Sequence, residues 1–337
     1  MTHCYIDNVQ PEPLYTQPPL KRALRAAFMQ LGGLQFARWL NRKRLRILMY
    51  HRFHSAKGLE MQCRHLRKHY HTISLTEAAT RMQAGDPLPP NSLVITIDDG
   101  YRDFATVAHP IFAAYQLPVT IYVVTEFLDG ARWLWIDQVR YAFRHTRRPE
   151  FHMDLPGAAP LYFTLSTDEQ RRHAARQLCE TLKLIRNADR LAALSCVPQL
   201  LDVRIPPQPP EGQEPLSWDD ARILASQGVD FGAHTLTHPI LSRLPAAELA
   251  PEISGSKQRL EQMLNAPVRH FCYPNGTARD FTPETVRAVR QAGYQTAVTT
   301  IPGINSPGDD LFLLRRIPVD PLYGMDYFPQ LAAALRV

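Results

Sequence analysis

A small set of side chains in this sequence could do chemistry together. His234 and His238 stand four apart in FGAHTLTHPIL, Asp98 and Asp99 are adjacent in ITIDDGYRDF, and His51 ends an apolar run in ILMYHRF. Two imidazoles and one carboxylate make a three-ligand site with one position left open, which suits a catalytic divalent ion. The other carboxylate can then face the activated water as a general base beside a Lewis acid. Zinc fits this donor set, and His/Asp sites also accept cobalt, nickel and manganese. On a helical turn, residues i and i+4 share a face. Here Pro239 follows at once, and a turn leaving a strand achieves the same convergence. Neither motif is specific alone in a chain with 13 histidines. Their joint placement at strand ends carries the reading.

That placement comes from the pattern along the chain. Apolar, β-rich runs mark strands over 46–50, 93–97, 118–124, 229–233, 268–273, 295–299 and 313–319. Helical runs lie between them over 61–70, 75–84, 103–115, 218–227, 246–264 and 283–292. Thr282-Pro283 opens the last of these, and Gly228 and Gly293 close two helices. Alternation of this kind implies parallel βα units. About seven of them make a closed or nearly closed (β/α) barrel, with a doubly wound open sheet as the alternative. No glycine-rich phosphate loop of the GxGxxG or Walker type is present. A barrel gathers function at the C-terminal strand ends. Those ends read Tyr50-His51, Asp98-Asp99-Gly100, Thr125-Glu126, His234 to His238, Tyr273-Pro274-Asn275-Gly276 and Arg315-Arg316. Residues 130–215 break the rhythm, with a helical stretch over 167–194 between proline-rich loops. This segment reads as an insertion above the barrel, a lid or a substrate wall.

The same residues carry a family resemblance. ITIDDGYRDF, FGAHTLTHPIL and FCYPNG resemble three motifs of the polysaccharide deacetylases, the NodB-homology family or carbohydrate esterase family 4. The resemblance runs over most of 46–320. It implies a distorted (β/α) barrel holding a divalent metal, usually zinc. It also implies hydrolysis of N-acetyl groups on N-acetylhexosamine units of a glycan or its lipid-linked precursor. Asp98 would be the general base, Asp99, His234 and His238 the metal ligands, and the backbone N–H of Tyr273 an oxyanion donor. Pro274, Trp133 and Trp135 would be substrate contacts, since aromatic faces commonly stack on sugar rings. The sequence departs from the family in having Cys272 where many members carry arginine, and in having no histidine after His270. Arg316 could pair with Asp98 in place of that arginine. ILMYHRF resembles the opening strand of a permuted subgroup that acts on poly-N-acetylglucosamine-type exopolysaccharides, which implies His51 as the general acid. Two alternatives keep other functions open. One is deformylation or deacetylation of a small lipid-linked sugar. The other is glycan binding through a vestigial site.

Composition bounds the rest. The 337 residues carry 38 Lys+Arg against 32 Asp+Glu, a formal charge of +6. Lys21, Arg22, Arg25, Arg38, Arg42, Lys43, Arg44 and Arg46 lie in a stretch without an acid between Glu12 and Glu60. Removing those eight charges from +6 leaves the rest of the chain at −2. With Leu20, Leu24, Phe28, Leu31 and Leu34 at helical spacing, residues 21–46 read as a basic amphipathic helix that either lies on an anionic membrane or packs its apolar stripe on the main domain with its charges in water. Residues 1–45 are therefore expected as a tail and basic helix, and 46–337 as the barrel with its insertion. The charge is too local to suggest nucleic acid. An odd count of five cysteines without a CxxC pair, and a first stretch unlike a signal peptide, lead us to expect a cytoplasmic protein, peripheral at the inner membrane face.

Overall fold

The computed structural model describes residues 32–335. Helix α1 (Gly33–Leu40) leads into β1 (Arg46–Tyr50), α2 (Ala56–His69), β2 (His71–Thr72), α3 (Leu75–Ala84), β3 (Ser92–Ile97), α4 (His109–Ala114) and β4 (Val119–Val123). Helix α5 (Thr125–Leu128) follows β4, and the inserted segment then contributes α6 (Trp135–His145), the antiparallel pair β5 (Glu150–Met153) and β6 (Leu161–Thr164), α7 (Asp168–Leu182) and α8 (Asn187–Leu200). The chain then runs through α9 (Trp218–Ser226), β7 (Asp230–Ala233), α10 (Ala246–Leu264), β8 (His270–Cys272), α11 (Pro283–Gln291), β9 (Thr296–Pro302), β10 (Leu314–Pro318) and α12 (Phe328–Ala332).

Seven parallel strands close a ring in the order β1-β10-β9-β8-β7-β4-β3, because β1 pairs with both β10 and β3. The short β2 adds to the start of β3. The ring is distorted: β7 and β8 meet at a single register pair, Ala233 with Phe271, and β9 against β10 shifts register between Leu314 and Arg316. The open-sheet alternative is therefore excluded.

Side-chain alternation along the strands sorts the core into two layers. Leu48, Tyr50, Leu93, Ile95, Ile97, Ile121, Phe231, Phe271 and Ile317 face outward and pack under the helices with Phe104 and Phe112. Ile47, Val94, Tyr122, Cys272, Val298 and Leu314 form the cluster inside the ring. Period two then puts His51, Asp98, His234 and Arg316 on the inner set. Gly232 is an inner position as well. A Cβ there would meet the Tyr122 ring at 2.5 Å and the His270 carbonyl at 2.9 Å.

Helix signals act where the sequence placed them. Thr282 Oγ1 accepts from the Thr285 N–H with Pro283 in the first turn. Gly228 and Gly293 take left-handed backbone after α9 and α11. Three expectations change. The helix over 103–115 begins as a π-type turn at Phe104–Ala108 ahead of Pro110, whose missing N–H interrupts the α ladder. The single helical stretch over 167–194 is two helices, α7 and α8. The insertion also holds a hairpin and builds a cluster of its own around Val139, Phe143, Phe151, Leu178, Leu182 and Val197. Of the basic helix expected over 21–46, residues up to 31 lie outside the described residues, while α1 starts after a left-handed Gly32. No described helix is long and apolar enough to cross a membrane. Cys63, Cys179 and Cys272 are buried free thiols, and Cys196 is an exposed one.

Gly232→Ala should lower stability by about 1–3 kcal/mol through overpacking against Tyr122. An unchanged urea midpoint would show that the ring opens at this seam without cost.

Candidate active site

The candidate ligand set forms because four left-handed residues turn the strand ends inward. The Asp98 N–H still donates to the Tyr50 carbonyl at 2.9 Å, so Asp98 continues β3 and points into the ring. Strict alternation would send Asp99 outward. Its φ of 76°, followed by Gly100 at 87°, brings it back. At Gly100 a Cβ would meet Val123 and Leu128 at 3.0 Å. After β7, Thr235 (φ 68°) and His238 (φ 59°) are also left-handed, and Thr235 Oγ1 accepts from the His238 N–H at 3.0 Å. The histidines converge through this turn, not through a helix.

His234 Nε2 and His238 Nε2 lie 3.2 Å apart, with Asp99 Oδ1 at 3.6 and 3.7 Å from them. Tetrahedral zinc with bonds of about 2.0–2.1 Å places its ligand atoms roughly 3.3–3.4 Å apart, so this triangle matches one face of such a site. The donor chemistry fits too. His234 Nδ1 lies 2.8 Å from the Cys272 carbonyl, which can only accept. That bond fixes the tautomer and leaves the Nε2 lone pair toward the triangle. Burial pushes both histidines below their ordinary pKa, His238 further with His234 beside it, so both imidazoles are neutral and able to act as ligands. His238 Nδ1 is buried without a hydrogen-bond partner among the described residues.

Behind the triangle, Arg316 grips Asp98 with both arms: Nη1 to Oδ1 and Nη2 to Oδ2, each 2.7 Å. This pair holds the Asp98 carboxyl well below the usual carboxylate range despite its burial. Cys272 Sγ sits 3.2 Å from Arg316 Nη2, so the small thiol stands where a guanidinium from β8 would collide with this one. His51 Nε2 is 3.7 Å from Asp98 Oδ2. Burial lowers its pKa to about 4, against the pull of Asp98.

These groups open onto one cavity of about 480 Å³, lined by His51, Asp98, Asp99, His234 and His238 from the barrel and by α6 and α7 from the insertion. Other expected contacts lie elsewhere. Trp133 and Trp135 are 3% and 6% exposed. Trp135 is in the insertion's core under Arg190, and Trp133 packs edge-on against Tyr141, so neither offers a face to a sugar. Pro274 is buried. The Tyr273 N–H donates to the Val298 carbonyl at 3.2 Å and its side chain faces the outer core. It is spent on the sheet and cannot meet an oxyanion.

Sequence reasoning missed three residues around this site. Asn275 lines the cavity in left-handed backbone (φ 58°), and its N–H donates to no described acceptor, while its side chain holds Asp280. Glu252 on α10 accepts from the Leu236 and Thr237 N–H groups at 2.9 and 3.0 Å and from Thr237 Oγ1 at 2.6 Å, fastening the loop between the histidines. Arg190 on α8 reaches the His238 carbonyl at 3.5 Å. Only Asn275 stood inside a visible motif. The other two act across long sequence separations.

Comparisons with known proteins agree with this geometry. The family model described as polysaccharide deacetylase matches residues 85–297. A Bacillus subtilis (strain 168) protein, YxkH, provisionally named a polysaccharide deacetylase, is 21% identical over 321 residues, covering 93% of this chain and 85% of its own. The poly-beta-1,6-N-acetyl-D-glucosamine N-deacetylase of Escherichia coli K12 is 35% identical over 60 residues, 18% of this chain and 9% of that protein. The Streptococcus pyogenes deacetylase PplD, solved with acetate, shares the fold at a TM-score of 0.55 and 18% identity, over 83% of this chain and 94% of its own.

His51, His234 and His238 all have pKa values below the 6.5 of an unfolded histidine. As pH falls through about 6.5 the unfolded chain takes up protons first, so stability is full above that value and drains toward pH 4. The metal-free protein should show a lower urea midpoint at pH 5 than at pH 7.5. Equal midpoints would contradict buried neutral imidazoles.

Proposed function

The chain belongs to the polysaccharide deacetylase family, and from that premise we propose that it hydrolyses the N-acetyl group of N-acetylhexosamine units in a glycan or its lipid-linked precursor. The observation that carries this reading is the buried Asp99–His234–His238 triangle opening with Asp98 and His51 onto one cavity. When held by those three residues, a divalent ion, zinc by the donor set, supplies polarisation of the amide carbonyl and a lower pKa for water.

The chain's own groups do the rest. Asp98, kept anionic by Arg316, takes a proton from the attacking water. The same guanidinium makes that proton costly to keep. His51 stands 3.7 Å away, starts neutral because of its burial, and accepts it. It then gives the proton to the amide nitrogen as the C–N bond breaks, so a neutral amine and acetic acid leave, and the acid ionises to acetate in solution. The Asn275 N–H, on the cavity wall with no carbonyl to serve, suits the developing oxyanion in place of Tyr273.

The basic end of the molecule supports a further part of the reading, peripheral contact of residues 21–46 with an anionic membrane. Phe36, Trp39 and Leu40 on α1 are 55%, 57% and 62% exposed, next to Arg38, Arg42, Lys43 and Arg44. This end adjoins the starts of the strands, since the Asn91 N–H just before β3 donates to the Arg42 carbonyl. Contact there leaves the cavity facing away from the lipid.

Two experiments test this. The ion-loaded protein should release acetate from a panel of N-acetylated glycans, and a chelator should stop it. Asp98→Asn and His51→Ala should each cost about 10²–10⁴-fold in kcat with the ion retained. Normal kcat in His51→Ala would remove the relay, and no acetate from any glycan would remove the activity. Separately, the full chain should sediment with phosphatidylglycerol-rich vesicles and lose that binding in high salt or as Phe36→Ala/Trp39→Ala. Binding indifferent to both would return α1 to a solvated face.

A further inference from the structure

At the end of the ring opposite the cavity lies a buried positive charge that no carboxylate neutralises. Arg46 opens β1 and His51 follows that strand, which sets the two about 16 Å apart. Arg46 is fully buried. Its Nη1 reaches only the Arg44 carbonyl, at 3.4 Å, while Nε and Nη2 have no hydrogen-bond partner. Those two nitrogens form the side-on edge of the guanidinium, whose parallel N–H bonds can serve two oxygens of one anion. The Tyr70 ring lies 5.4 Å from its Cζ. Burial lowers the Arg46 pKa below the ordinary arginine range, Tyr70 opposes this, and Arg38 adds to it. Arginine keeps its proton in proteins, so the charge stays and needs a partner.

The surroundings add donors and no acid. The Tyr70 hydroxyl is buried with no acceptor for its proton and has Arg38 of α1 beside it. The His65 ring lies 6.0 Å from that of Tyr70 and 4.6 Å from that of His69, and its buried Nε2 has no hydrogen-bond partner. Burial pushes His65 down to about 4, with His69, Arg38 and Lys68 acting in the same direction. Among the described residues no carboxylate pairs with Arg38, Arg46 or Lys68. The sequence has no acid between Glu12 and Glu60, and Glu60 serves Arg64 and the Tyr115 hydroxyl. Arg38 and His69 are half-buried and Lys68 is exposed, so the group reaches solvent along that edge.

We propose that these residues bind a phosphate group, gripped by the Nε–Nη2 edge of Arg46 and closed over by Arg38 and the Tyr70 hydroxyl. Donors from three side chains outnumber the two oxygens of a carboxylate and suit the three or four of a phosphate. The site is separate from the catalytic cavity and stands whether or not α1 meets a membrane. The phosphate has two sources: a lipid headgroup presented at α1, where Phe36, Trp39 and Leu40 are exposed, or a phosphate compound free in solution.

The test uses the zinc-loaded full chain at constant ionic strength. Inorganic phosphate should raise its Tm saturably, by about 2 °C or more, where chloride does not. Arg38→Gln should raise the phosphate concentration needed about tenfold. Arg46→Met should abolish the response, and it should fold, because an apolar side chain replaces an unpaired buried charge. Should it fail to fold, Arg38→Gln decides alone. A vesicle arm separates the sources, with Lys43→Gln removing an equal charge from the same end of the molecule. If the phosphate belongs to a lipid, Arg38→Gln weakens binding to phosphatidate-containing vesicles more than Lys43→Gln does, and inorganic phosphate competes. Equal losses, or no vesicle binding, assign the site to a free phosphate. A Tm that ignores phosphate overturns the proposal. So does a response untouched by both arginine variants, which would place the phosphate on the zinc. Either result leaves the deacetylase reading standing.

Discussion

The Arg316 guanidinium is the hub on which this site depends. It is fully buried and has five N–H donors, and each meets an acceptor: the Thr299 carbonyl, Thr96 Oγ1, both oxygens of Asp98 and the Cys272 thiol. Thr96 in turn donates to the Leu48 carbonyl. One side chain from β10 thereby ties together β1, β3, β8 and β9 inside the ring. Losing one partner of a buried ion pair costs about 3–5 kcal/mol, because the other charge stays behind unmatched. The interaction that keeps Asp98 ionised is thus also part of what holds the ring's interior together, and Cys272 is small enough to leave room for it.

Around that hub the chain stores unfavourable backbone geometry where chemistry is done. Asp99, Thr235, His238 and Asn275 are all left-handed without being glycine, all lie at strand ends, and all but Thr235 line one cavity. Such conformations cost of order 1–3 kcal/mol each and persist only when neighbours hold them. The neighbours are identifiable: Glu252 on the Leu236–Thr237 amides, the Thr235 hydroxyl on the His238 amide, and Asp280 on Asn275 and Thr277. Most of these partners are ordinary polar residues on helices and loops, whose role comes only from the turn they secure.

This division explains what the sequence disclosed. Strands were legible because a buried parallel strand is a continuous apolar run, as in LVITI before Asp98 and RILMY before His51. Alternation then put Asp98 and Arg316 on one inner face, so their pairing was within reach. Backbone commitments were not legible. Nothing in FCYPNG reveals that the Tyr273 N–H belongs to Val298 while that of Asn275 does not. Nor does a local sequence show which aromatics face a cavity: Trp133 and Trp135 looked like sugar platforms and proved to be interior. The family match itself spans residues 85–297 and includes neither His51 nor Arg316, so the two side chains flanking Asp98 come from strands outside it.

The insertion shows how the two walls of the cavity can be built apart. Helices α6, α7 and α8 and the hairpin pack on a cluster of their own, distinct from the barrel's. Yet the wall cannot drift, because Arg190 reaches the His238 carbonyl while its guanidinium lies over Trp135. α5 is hydrogen-bonded to the same loop through Thr125 and Glu126. A wall cored independently but registered against the loop between His234 and His238 can vary its side chains without moving the triangle. The barrel thus carries the triangle and the residues that flank it, and the insertion supplies the other wall of the same cavity.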